Sequence, residues 1–130
     1  MAEANAQFVG SIPEIYDRHL GPVLFEPYAA DLATRVRVGP SARVLELACG
    51  TGIVTRRLRD SLPPGATLLA TDLNEPMLAY AAHRFKPGEL VEWRQADACA
   101  LPFTDASMDV VACQFGYMFV PDKPLALREA

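Results

Sequence analysis

Residues 44–58, VLELACGTGIVTRRL, restrict the fold more than any other part of the chain. A short apolar run carrying a single acid, Glu46, passes into small residues, with Gly50 and Gly52 separated by one residue. A run this short and apolar predicts a strand buried on both faces. The two glycines then allow a sharp turn whose backbone a ligand can approach closely. Beyond them Ile53, Leu58 and Leu62 recur at helical spacing. Arg56, Arg57 and Arg59 are expected on the solvated face of that helix, which Pro63, Pro64 and Gly65 end. The unit is strand, tight turn, helix.

The unit repeats. TLLATD, 67–72, reads as a second strand ending in an acid. EPMLAYAAHRF reads as a helix with Pro76 in its first turn and Asn74 as N-cap, closed by KPG. LVEWRQAD, 90–97, and MDVVACQF, 108–115, supply a third and a fourth strand, separated by ACALPFTDAS, a loop or poor helix broken at Pro102. Upstream, 10–20 begins as a helix with Ser11 as N-cap and Pro13 in the first turn. Gly21 and Pro22 interrupt it, and 25–38 forms a second helix stopped by Gly39 and Pro40. PDKPLALREA opens one more helix at the end. Strands alternating with helices of about ten residues imply right-handed crossovers and a mainly parallel α/β sheet with helices on both faces.

At 130 residues, 51% hydrophobic and 22% charged, the chain has material for a single core. Its net charge of -4 and scattered bases argue against a nucleic-acid partner. The sequence carries no basic-then-apolar leader and no apolar run of about 18 residues, so no membrane span and a cytoplasmic location are expected. Cys49, Cys99 and Cys113 are odd in number and far apart, which fits reduced thiols rather than a disulfide or zinc framework. His19 and His83 have no second ligand at useful spacing, so no metal site is expected.

Ligands of an open parallel sheet lie outside the carboxyl ends of its strands, where the turn sits. A dinucleotide fingerprint would need a third glycine where Thr55 stands, and a phosphate loop would need a lysine after the glycines. Glu46, just before the turn, would repel a pyrophosphate and favour an ammonium or sulfonium group. Asp72 ends the second strand, position 72 against Gly52, 20 residues on.

ELACGTG resembles motif I of the class I S-adenosylmethionine-dependent methyltransferases, D/E-x-G-x-G-x-G, and the small-molecule enzymes of ubiquinone and menaquinone biosynthesis in particular. Ala48 stands at the first glycine position, a departure small enough to tolerate. The resemblance implies a Rossmann-like three-layer sandwich with strand order 3-2-1-4. It also implies a site for S-adenosyl-L-methionine. In that site Glu46, Ala48, Cys49, Gly50 and Gly52 form the turn and Asp72 holds the ribose. Leu73 and Met77 cover the adenine, while Asp97 and the Ala98 backbone read its edge. Gln114 faces the reactive side, and Tyr16 caps the carboxylate end. Residues 1–40 would be a helical cap and 41–130 the cofactor-binding core.

The implied reaction is methyl transfer to a small-molecule acceptor, for which positioning supplies most of the catalysis and no catalytic side chain is assigned. A non-catalytic S-adenosylmethionine or nucleoside-binding module, or a remnant of a methyltransferase, is the alternative. In the family the sheet continues past the fourth strand, so the chain is expected to be truncated there. Its exposed fourth strand, within VVACQFGYMFV, would then be covered by self-association as a homodimer or by the rest of a longer enzyme.

Overall fold

A computed structural model describes residues 12–130; the N-cap assigned to Ser11 lies outside them. Helix α1, Ile12–Leu20, leads into a π turn, Gly21–Phe25, and helix α2, Glu26–Arg35. Then come β1, Arg43–Glu46; α3, Ile53–Ser61; β2, Thr67–Asp72; α4, Glu75–His83; β3, Val91–Gln95; and β4, Val110–Ala112. A 3-10 turn, Gly116–Phe119, and α5, Lys123–Glu129, complete the order.

The sheet is parallel throughout, in the order β3-β2-β1-β4. β1 is central, its Val44 opposite Leu68 of β2 on one side and Val110 of β4 on the other. Side chains alternate across it. Val44 and Leu68 face α2 and α3, packing with Ala29, Ala33, Val54 and the fully buried Leu58. Leu45, Leu47 and Leu69 face the opposite layer, which the connection between β3 and β4 covers with Leu101, Phe103 and Met108. α5 closes beside that connection: Glu129 accepts from the Leu101 N–H at 2.8 Å and Ala126 is buried. These layers form the Rossmann-like α/β sandwich expected from the sequence.

Four local expectations are corrected. Gly21 and Pro22 end the first α-helix without ending the helical run, and the second helix stops at Arg35 rather than at 38. The wide π turn, closed by Glu26 N–H donating to Gly21 O, takes Pro22 in its first positions, where the missing N–H costs nothing. Arg59 is not solvated: only 9% exposed, it turns inward and donates to the carbonyls of Ala66 at 2.8 Å, Leu90 at 2.9 Å and Pro63 at 2.7 Å. Asn74 occupies the N-cap position of α4 without a side-chain cap bond, and its backbone N–H donates to Asp72 Oδ1 at 2.8 Å. The fourth strand is three residues long, and the apolar segment after it coils into the 3-10 turn. Its outer edge is accordingly short, which lessens the pairing hazard of an open strand.

Candidate functional site

The turn after β1 is held from both neighbouring strands. Leu47 N–H donates to Ala112 O at 2.8 Å, and Cys49 N–H to Thr71 O at 2.9 Å. Gly50 N–H donates to Asp72 Oδ2 at 2.8 Å. Three residues in this stretch are in the left-handed region: Ala48 at φ 53°, Gly50 at 55° and Gly52 at 86°. A Cβ on Gly50 would meet nothing within 4 Å, so its missing side chain leaves open space. A Cβ on Gly52 would lie 3.1 Å from that of Ala81 on α4. The two glycines therefore serve different ends, and their alanine variants should separate. Gly52→Ala is expected to cost about 2 kcal/mol of stability in denaturant titration, from backbone strain plus crowding. Gly50→Ala is expected to cost about 1 kcal/mol, the strain alone.

The turn forms one wall of a cleft of about 870 Å³, counted to its open mouth. The cleft brings together Tyr16, Ala48, Gly50, Asp72, Leu73, Met77, Asp97, Ala98 and Gln114. Glu46, Cys49 and Gly52 stand behind this wall rather than on it. Asp72, 7% exposed, sits at the tip of β2. Burial raises its pKa, and the N–H groups of Asn74 and Gly50 act against that rise. Tyr16 reaches the cleft from α1, its hydroxyl pKa raised by burial and by the nearby Asp72 charge. Met77 is buried under one side and Leu73 exposed at the rim. Asp97 accepts from Cys99 N–H at 2.8 Å, an Asx turn that fixes its carboxylate after β3. Gln114 lines the cleft and donates from Nε2 to Phe25 O at 3.3 Å.

Glu46 has 2% of its surface exposed and accepts from the Thr55 hydroxyl at 2.6 Å. Its pKa is pushed up to about 8, by burial first and by the Asp72 charge as well, against the Thr55 bond. Cys49, buried beside it, has its thiol raised well above the usual value by burial. Among the described residues no group of His, Cys, Asp and Glu could hold a metal ion, and no helix is long and apolar enough to cross a membrane.

The far wall was missed from the sequence. Phe115, left-handed at φ 65°, starts the 3-10 turn whose Phe119 lines the cleft. Tyr16 stacks on Phe25 with ring centroids 4.9 Å apart, and Phe115 packs against both Phe25 and Tyr28. Gly116 fits tightly there, since a Cβ on it would stand 2.4 Å from that of Ala48. A glycine directly after an aromatic in an apolar segment was the available signal.

This arrangement recurs in known proteins. Residues 45–130 match the methyltransferase domain family. The chain is 36% identical over 98 residues to a demethylmenaquinone methyltransferase of Lactobacillus johnsonii, covering 73% of this chain and 39% of that protein. It is 39% identical over 97 residues to a ubiquinone/menaquinone biosynthesis C-methyltransferase of Hahella chejuensis, covering 72% of this chain and 38% of the relative. Across such relatives the chain spans 37% to 49% of their length. A putative methyltransferase from Bacillus halodurans superposes with a TM-score of 0.70 at 27% identity, over 78% of this chain and 44% of its own. The structure of a putative S-adenosyl-L-methionine-dependent methyltransferase from Methanococcus maripaludis, at 19% identity, shares the fold with a TM-score of 0.81 over 95% of this chain and 57% of its own. With the match running from inside β1 to the last residue, this chain belongs to the methyltransferase domain family.

Proposed function

We propose that the cleft binds S-adenosyl-L-methionine and that the protein transfers its methyl group to a small-molecule acceptor. The observation that carries this reading is the Asp72 carboxylate. It is buried at a strand tip, and each of its oxygens is already oriented by one backbone N–H donor. A carboxylate offers about four lone-pair sites, so each oxygen keeps one for a ribose hydroxyl. The open space at Gly50 fits the same ligand, because it lets a nucleoside lie against the turn with no side chain between.

When bound, S-adenosylmethionine supplies a methyl carbon already activated by its sulfonium. The chain's residues bind and orient. Asp72 holds the sugar, Leu73 and Met77 cover the base, and Asp97 and the Ala98 backbone meet its polar edge. Gln114 faces the end where the methyl lies, while Tyr16 caps the carboxylate end and Ala48 and Gly50 present backbone to the amino-acid portion. Glu46 and Cys49 act from behind the turn, Glu46 bracing it by accepting from the Thr55 hydroxyl, and Gly52 seats it on α4. The described part of the expected cap, residues 12–40, covers a core of 41–130, and residues 1–11 lie outside the described residues. Holding the partners in attack geometry is the main catalytic contribution, and neither His19 nor His83 lines the cleft.

Demethylated quinols are the first acceptors to try, because the relatives above are named for demethylmenaquinone and ubiquinone/menaquinone methylation. The proposal includes a cytoplasmic location. β4 pairs with β1 alone among the described strands, and its free edge is covered by a second copy or by a longer form of the chain. Calorimetry with S-adenosylmethionine and its demethylated product tests the site. Asp72→Ala is expected to weaken binding by about 2 kcal/mol, roughly thirtyfold. Equal affinity in variant and wild type would remove Asp72 from the site, and no binding to the wild type would remove the reading.

A further inference from the structure

Asp17 lies on α1 next to Tyr16, outside the cleft, yet three side chains from two segments converge on its carboxylate. Oδ1 accepts from Arg84 Nη1 at 2.6 Å and from the Thr51 hydroxyl at 3.1 Å. Oδ2 accepts from the Tyr80 hydroxyl at 3.2 Å. Arg84 Nη1 also donates to Thr51 O at 3.2 Å, closing the network on itself. The Asp17 side chain is 18% exposed. Thr51 stands between the two left-handed glycines and is 2% exposed, so its hydroxyl must find a partner inside the protein.

We propose that Asp17 is a positioning residue that latches α1 to the glycine turn and to α4, so that Tyr16 is held over the cleft. The next side chain along α1 thus acts through Tyr16 on whatever the cleft binds. α1 is joined to α2 through the π turn, whose single wide hydrogen-bonded loop is the natural place for the helix to swing if the latch opens. An ion pair with 36% of its arginine exposed contributes little by itself. Its weight lies in fixing the turn and the cap by one group.

The inference rests on the cofactor reading for the identity of the bound molecule, and the experiment keeps the two apart. In the full chain, hydrogen–deuterium exchange is compared between wild type, Asp17→Asn and Arg84→Gln without ligand. The latch requires that exchange rise together in residues 12–20 and 50–53 in both variants. A rise in the helix alone, or no rise, overturns it. S-adenosylhomocysteine is then titrated into wild type, Asp17→Asn, Tyr16→Ala and the double variant. Asp17→Asn is expected to weaken binding about tenfold, and to weaken it less than about twofold once Tyr16 is gone, because coupled residues are not additive. A full additional loss in the Tyr16→Ala background, or unchanged affinity in Asp17→Asn despite a lower melting temperature, overturns the latch. If the wild type binds no S-adenosylhomocysteine, the cofactor reading falls and the exchange comparison decides the latch on its own.

Discussion

Between pH 5 and pH 9 the ligand-free protein is expected to lose about 4 kcal/mol of stability relative to its Glu46→Gln variant. The folded protein holds the Glu46 proton up to about pH 8, against 4.5 for the ordinary carboxyl. Over that interval the folded state binds more protons than the unfolded one, so stability falls as pH rises. The contribution is fully present below pH 4.5 and is lost progressively until the pH passes 8. Glutamine mimics the protonated acid at every pH and can still accept from Thr55, so its own curve lacks this slope. Denaturant titrations of both proteins at several pH values isolate the effect from other groups, including Asp72, whose pKa is also raised. Parallel curves would show that Glu46 is ionised in the fold. A cationic ligand adds a second expectation: by favouring the charged acid it narrows the gap between the two proteins at high pH.

Arg59→Met is expected to destabilise the protein by about 3–4 kcal/mol. Methionine keeps much of the apolar stem in place but removes the guanidinium bonds to the carbonyls of Pro63, Ala66 and Leu90, of which Pro63 O keeps the Ala66 N–H as a donor. The three come from the loop after α3 and from the approach to β3, so one side chain joins the start of β2 to the start of β3. Bonds from a charged donor contribute about 1.5–3 kcal/mol each, and water reaching the site recovers part of that loss. Arg59→Lys should recover a fraction only, since a single ammonium lacks the planar fork that spans three acceptors. Equal stability of the methionine variant in chemical denaturation would mean that these carbonyls find other partners.

Arg59 also marks where sequence reasoning stops. Periodicity places it with Arg56 and Arg57, and a polar residue on that arc of a helix reads as solvated. The carbonyl nest that draws it inward is built by residues up to 31 positions away, and backbone acceptors leave no trace in residue type. The Asp17 network is hidden for the same reason, as its partners lie 34 to 67 positions along the chain. By contrast, β2 and the starts of α3 and α4 follow from local chemistry: a short apolar run, a small-residue turn, a proline in a first turn. Asp72 was legible because a strand end fixes where its side chain must emerge. Glu46 was legible as a buried acid, but its neighbour was not. Thr55, nine positions along, stands where a dinucleotide motif would need glycine, and only the folded chain shows it as the acid's hydrogen-bond donor.

The close fit between the Ala48 methyl and the bare backbone of Gly116 has an evolutionary corollary. A lineage holding alanine at the first position cannot accept any side chain at the second, where even a methyl would collide at 2.4 Å. Losing the methyl of Ala48 first removes that collision, though the Cys113 sulfur at 2.9 Å remains to be moved. The two sites, 68 positions apart (116 against 48), are therefore coupled, together with Cys113, and the history of each is readable only together with its partners.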